Sequence, residues 1–211
     1  MLSTTPWDSY LIKSKIWSYP PSAVIGPTLF SIPAEEYFFF FVQTYITSSL
    51  YALCSRPVVH SVYLQPRSNR KIQLTGAALI TGLFLWSLTL FIQGGKGTYL
   101  ALILLWCLPF LLLLWTLAYT HIVALPWTAT VLPVAAPTLF LWLVDTFALR
   151  RGTWVIEHGT KLGVHLWPHL EIESVLFFAL AALAYNEFVT DREAIFFLVT
   201  NLMIVFGHVA A

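Results

Sequence analysis

Charge is scarce in this sequence: Lys, Arg, Asp and Glu make up 10% of its 211 residues, where a soluble domain carries about 25%. The 11 basic and 10 acidic residues leave a net charge of +1, so nothing electrostatic points to nucleic acid as a partner. Cysteine is nearly absent. Cys54 and Cys107 both lie in apolar runs without metal-ligand spacing, which argues against a disulfide framework and a zinc site. The six histidines share no spacing. There is no Gly-rich dinucleotide fingerprint, no P-loop, no nucleophile elbow and no Asp-rich diphosphate motif. No cofactor and no metal is therefore expected. Any chemistry falls to carboxylates, aromatics and an apolar interior.

What is abundant is hydrophobic: 58% of residues, with 16% aromatic and a mean hydropathy of +0.77. A chain this short cannot bury so much apolar surface in a soluble core. The composition predicts an all-α, multi-pass membrane bundle. Four runs meet the roughly 20 mostly apolar residues a span needs: Tyr37–Cys54, Ile72–Ile92, Tyr99–Tyr119 and Ile122–Val144. A fifth region, Ser174–Tyr185 and Ala194–Val209, is interrupted by polar Asn186–Glu193. Met1–Glu36, with several prolines, reads as a polar loop followed by a re-entrant or interfacial segment. The basic residues Arg56, Arg67, Arg70 and Lys71 vote for one sidedness, and Lys13, Lys15, Arg150, Arg151 and Lys161 for the other. Four crossings between Glu36 and Glu171 would bring both acidic segments to one face.

The polar segments repeat. An ungapped shift of 137 residues lays Asp8 on Asp145, Lys13 on Arg150, Trp17 on Trp154, Gly26 on Gly163 and Glu36 on Glu173. It also lays Phe40-Phe41 on Phe177-Phe178. Two modules, about residues 8–54 and 145–209, are expected to flank a pseudo-symmetric site, as ligand sites in membrane proteins often do. Glu35 and Glu36 open an apolar helix ahead of four phenylalanines. One acid there complements a helix dipole; two against an aromatic run are costly and point to function. Asp8 and Asp145 suit either an interfacial cap or the site. Trp17 and Trp154 suit either aromatic-belt anchors or substrate contact.

These residues also carry a resemblance. Trp7-Asp8-Ser9-Tyr10, Trp17-Ser18-Tyr19, Ile32-Pro33-Ala34-Glu35-Glu36-Tyr37-Phe38-Phe39, Arg151-Gly152-Thr153-Trp154 and Leu166-Trp167-Pro168-His169-Leu170-Glu171-Ile172-Glu173 resemble the membrane lycopene β-cyclases. In fungi that module is the N-terminal part of a bifunctional lycopene cyclase/phytoene synthase. The second acidic motif departs from the family pattern. Glu173 is followed by Ser174, while Arg192-Glu193-Ala194-Ile195-Phe196-Phe197 and Thr200-Asn201 match the family's continuation. The interval Ser174–Arg192 therefore reads as an insertion, and Glu193 competes with Glu173 as the partner of Glu36.

The resemblance implies redox-neutral closure of lycopene ψ-ends into β-ionone rings, giving γ- or β-carotene, in an internal membrane such as the endoplasmic reticulum. It implies lycopene and membrane lipid as partners, a phytoene synthase domain in cis in related proteins, and no synthase activity from this chain alone. Desolvated carboxyls hold protons and can donate them; aromatic faces stabilise a carbocation. The expected acid/base pairs are Glu35 with Glu36, and Glu171 with Glu173, supported by Asp8 and Asp145. Trp17, Trp154, Phe39, Phe40, Phe177 and Phe178 are the expected substrate contacts. A proton-coupled transporter, which also uses intramembrane carboxylates, and an inactive fragment stay open as alternatives.

Overall fold

The computed structural model describes residues 4–55, 69–124 and 127–190; the basic loop after Ser55, Glu193 and the C-terminal apolar run fall outside them. Among these residues there are six helices: α1 (Thr4–Lys13), α2 (Ala34–Ser55), α3 (Arg70–Gln93), α4 (Thr98–Ala124), α5 (Trp127–Arg151) and α6 (Ile172–Thr190). Three antiparallel pairs of very short strands sit among them: β1 (Trp17–Ser18) with β4 (Val155–Ile156), β2 (Thr28–Leu29) with β3 (Ile32–Pro33), and β5 (His165–Trp167) with β6 (Leu170–Glu171).

The protein is a helical membrane protein. All of α3, residues 98–117 of α4 and residues 131–151 of α5 are long and apolar enough to cross a bilayer. The expected span Tyr37–Cys54 is not among them. Gln43, Thr44, Thr47, Ser48 and Ser49 dilute its apolar content, and Gln43 and Thr47 are buried inside the bundle. Helix α4 packs between α3 and α6, while α5 packs on α2 and α6.

Three further expectations change. Met1–Glu36 is not simply loop: Thr4, Trp7, Asp8 and Leu11 form one buried face of α1. That i, i+3, i+4, i+7 spacing is helical, but Asp8 within the stripe masks it from a hydrophobicity reading. Asp145 does not cap the end of an apolar run. It lies inside α5, fully buried. Ser174–Arg192 is no interruption as far as it is described, because residues 174–190 are the body of α6.

Helices α3 and α4 approach closely at Gly76, where any Cβ would overlap the Trp115 indole. The Trp115 Nε1–H donates to the Gln73 carbonyl at 2.9 Å, and Gln73 Nε2 donates to the Thr116 carbonyl at 3.0 Å. Gly76→Leu should therefore lower stability by about 1–3 kcal/mol, read as an earlier thermal loss of the monodisperse peak in detergent. Gly82→Leu, where a Cβ meets open space, is the control and should melt unchanged.

Candidate active site

The repeat seen in the sequence reappears as hydrogen bonds. Helices α1 and α5 both end in a Schellman motif, in which the two amides past the end turn back onto the last-turn carbonyls. In the first, Ile16 N–H reaches Leu11 O (2.9 Å) and Lys15 N–H reaches Ile12 O (3.1 Å); in the second, Thr153 reaches Ala148 (2.9 Å) and Gly152 reaches Leu149 (3.2 Å). The left-handed residue is Lys15 (φ 53°) in one module and Gly152 (φ 67°) in the other. Strand β1 then pairs with β4, with Ser18 opposite Val155. These two are repeat-equivalent, so the antiparallel pair straddles the pseudo-two-fold axis. Repeat-equivalent Trp17 and Trp154 face each other there, ring centroids 6.3 Å apart.

Past the strands, each module turns through a hairpin into a helix whose first-turn glutamate clamps the preceding loop. Glu35 Oε1 accepts from Ile25 N–H at 2.5 Å, and Glu173 Oε1 accepts from Leu162 N–H at 2.6 Å. Ala34 N–H bonds Pro27 O at 3.0 Å, and Ile172 N–H bonds Val164 O at 2.9 Å. Glu173 is therefore the counterpart of Glu35, not of Glu36 as the ungapped shift has it. The β5–β6 pair carries a register irregularity between His165 and Trp167, and that bulge holds one extra residue. With it counted, Phe39-Phe40 fall on Phe177-Phe178, Glu36 falls on Ser174 and Pro33 on Glu171. The ring pairs agree: Phe39 meets Phe40 at 5.6 Å, Phe177 meets Phe178 at 5.2 Å, and Phe39 meets Phe178 at 6.5 Å across the modules.

The carboxyls group differently from their order in sequence. Consecutive residues on a helix point about 100° apart, so Glu35 is bonded to its loop while Glu36 is bonded to Tyr19. Tyr19 Oη–H donates to Glu36 Oε2 at 2.6 Å. Asp8 is 1% exposed and its Oδ2 has no hydrogen-bond partner. Burial, reinforced by the Glu36 charge, pushes the Asp8 carboxyl up to about 8. Burial raises Glu36 to about 7, although the Tyr19 bond favours its charged form. In the second module Asp145 accepts from Trp154 Nε1–H at 2.9 Å and from the Ser174 hydroxyl. Glu173 is fully buried, its Oε2 unpartnered. Glu171 is set apart by its cation: Lys161 Nζ lies 2.6 Å away and His165 Nε2 lies 3.2 Å away. The aromatic positions close around this centre. Trp17, Phe40, Phe177 and Phe178 are buried and share one core cluster, with Phe39 and Trp154 packed against it.

Tyr99 joins the two halves. It lies in the first turn of α4, 1% exposed, within electrostatic reach of Asp8, Glu36, Asp145 and Glu173 together. The structure thus brings both acidic modules to one centre, Glu35 and Glu171 serving at its edge. Tyr99, Tyr19 and Ser174 carry no role in the sequence reading. Tyr19 stands in a quoted motif, but Tyr99 reads there only as the aromatic start of an apolar run. Among the described residues, no three His, Cys, Asp or Glu are grouped to hold a metal.

Comparison with known proteins places this geometry in context. The chain is 51% identical over its whole length to a bifunctional lycopene cyclase/phytoene synthase of Leptosphaeria maculans. It is 50% identical over its whole length to one of Gibberella fujikuroi, and 47% identical over 97% of its length to one of Neurospora crassa. It spans about a third of the length of these curated relatives, covering 34%, 33% and 32% of them. No family model and no solved structure matches.

Proposed function

We propose, on the premise that this chain is homologous to about a third of the bifunctional lycopene cyclase/phytoene synthases, that it is a lycopene β-cyclase of carotenoid biosynthesis. The reaction is a redox-neutral isomerisation of lycopene ψ-ends to β-ionone rings, yielding γ- or β-carotene. The observation that carries this reading is the buried aromatic cluster together with buried carboxyls of both modules, Asp8, Asp145 and Glu173, each with an oxygen that has no hydrogen-bond partner among the described residues.

Cyclisation needs a proton delivered to the terminal alkene, attack by the next alkene on the cation, and loss of a proton from the new ring. Asp8 and Glu36 suit the first step. Desolvated, and without a cationic partner among the described residues, the pair keeps a proton at neutral pH that it can donate. Asp145 and Glu173 suit the last as the buried carboxyls of the second module, where they accept from Trp154, Ser174 and Leu162. Trp17, Trp154, Phe39, Phe40, Phe177 and Phe178 enclose the polyene end, each face stabilising the cation by roughly 1–2 kcal/mol, and their packing excludes water that would quench it. Glu35 and Glu171 hold loops in place. The setting is an internal membrane such as the endoplasmic reticulum, with a phytoene synthase supplied separately or in cis as in the named relatives.

The test is expression in a lycopene-accumulating bacterium. Red colonies should turn orange or yellow, and membranes stripped of small molecules should still convert lycopene. Colonies that stay red although the protein accumulates in the membrane would refute the reading. The pH profile supplies a second check. The first step requires the protonated Asp8–Glu36 pair, so activity should fall as pH rises from about 7 through 8, where Glu36 and then Asp8 ionise.

A further inference from the structure

The two modules differ at one pair of positions. Tyr19 and Glu36 of the first have Ile156 and Ser174 as their repeat equivalents, the former ahead of the bulge and the latter beyond it. Phenol and carboxyl occur together in one half, and both are replaced in the other. They are joined by a hydrogen bond: Tyr19 Oη–H donates to Glu36 Oε2 at 2.6 Å. That is the length of a charge-assisted O–H···O⁻ bond, about 2.5–2.7 Å.

The phenol is held ready for that bond. Pro20 comes next in the chain and restricts Tyr19 to extended backbone. Strand β1 is pinned to β4 by Glu157 N–H donating to Ile16 O at 3.0 Å and the Ser18 hydroxyl donating to Glu157 Oε1 at 2.7 Å. The Trp17 ring stacks on the Tyr19 ring, centroids 6.1 Å apart. Burial, with the Glu36 charge, holds the phenol far above its ordinary ionisation range, so it stays a donor. Its acceptor changes during the reaction. When Glu36 protonates the substrate, its O–H bond breaks and leaves the electron pair on the carboxyl. The alkene π pair forms the new C–H bond, and the cation appears on the neighbouring carbon. A bond to a charged acceptor is roughly twice as strong as one to a neutral acceptor. The Tyr19 bond therefore tightens as the proton leaves, and an interaction that strengthens toward the transition state accelerates the step.

We propose that Tyr19 is the positioning residue of the acid, its hydroxyl occupying Glu36 Oε2 so that the acid's own proton sits on Oε1, and stabilising the carboxylate left when that proton passes to the substrate. The proposal rests on the cyclase reading and adds to it the group through which Glu36 is made an effective donor.

Rates and pH profiles of membranes holding the full chain test it. Tyr19→Phe keeps the ring that stacks on Trp17 and removes only the hydroxyl. It should lower kcat about 10–10²-fold, the usual worth of a hydrogen bond to a charged group, with KM nearly unchanged because Tyr19 acts through Glu36. The bond favours the charged form of Glu36. Without it Glu36 keeps its proton to higher pH, and the alkaline limb of the kcat profile moves up. A 3-fluorotyrosine at position 19 is a more acidic phenol and a stronger donor, so it should move that limb down. The other groups acting on the pair are the same in all three proteins: Asp8 of α1 and Tyr99 of α4, with Asp145 of α5 and Glu173 of α6 reaching Tyr99. Wild-type kcat in Tyr19→Phe overturns the proposal. So does a loss of kcat with an unmoved limb, which is what a packing role would give. If Tyr19→Phe does not accumulate, the fluorotyrosine protein decides, and a limb that stays in place overturns the proposal. Wild-type membranes that form no cyclic product refute the cyclase reading itself, and the role of Tyr19 with it.

Discussion

Glu36→Gln is expected to reduce ring closure by about 10²-fold or more, the usual size of a lost general acid, with the protein still accumulating in the membrane. Glutamine keeps the shape of glutamate and a carbonyl that accepts the Tyr19 hydroxyl, but it has no acidic proton at neutral pH. The informative control is its neighbour. Glu35 accepts the Ile25 amide from the loop, and the amide oxygen of Glu35→Gln can accept it too, so that variant should lose only a few-fold. Product from lycopene-containing membranes, normalised to protein, gives both values. Equal losses at the two positions would restore the adjacent-pair reading suggested by the sequence. A Glu36→Gln protein with near-normal yield would mean that the carboxyl is structural.

Deleting Ser174–Arg192 is expected to abolish accumulation of folded protein. The deletion joins Glu173 to Glu193 and recreates the family-like Glu-Glu-Ala-Ile-Phe-Phe, so an interrupting insertion would show as a gain of activity and a real helix as a loss. The structure predicts the loss. Residues 174–190 are the body of α6, which packs on α2, α4 and α5. They carry Phe177 and Phe178, and Trp142 Nε1–H donates to the Val175 carbonyl at 3.2 Å. Truncating one buried phenylalanine costs about 3–5 kcal/mol. Removing two, with the helix beneath them, approaches the whole stability of about 5–15 kcal/mol available to a domain. The readout is the monodisperse peak in detergent together with product yield. A deletion protein that is folded and more active than the parent would establish that the interval interrupts the motif.

Much of this was legible in the residues because it is local. The dearth of charge and the apolar runs require a membrane setting, for reasons of hydrophobic burial that no fold alters. The coincidence of Asp8 with Asp145, Trp17 with Trp154 and Gly26 with Gly163 was visible because those residues precede the bulge, where the two modules keep equal spacing. It failed from Glu36 onward. One residue added between His165 and Trp167 shifts everything after it, and an ungapped comparison cannot detect a bulge whose evidence is a hydrogen-bond register.

What only the tertiary structure decided is which groups meet. Adjacency in the chain suggested Glu35 with Glu36, yet a helix turns them apart: Glu36 is bonded to Tyr19, and its charge acts on buried Asp8, 28 residues earlier. Glu171 and Glu173 look alike in sequence, but Lys161 reaches only the first and holds it as an ion pair, while Glu173 is fully buried and accepts from the Leu162 amide. The sequence by itself determined the class of protein, its two modules and the kinds of side chain available for chemistry. Which of those side chains meet was decided by the fold, because burial and hydrogen bonding depend on distances between elements far apart in the chain.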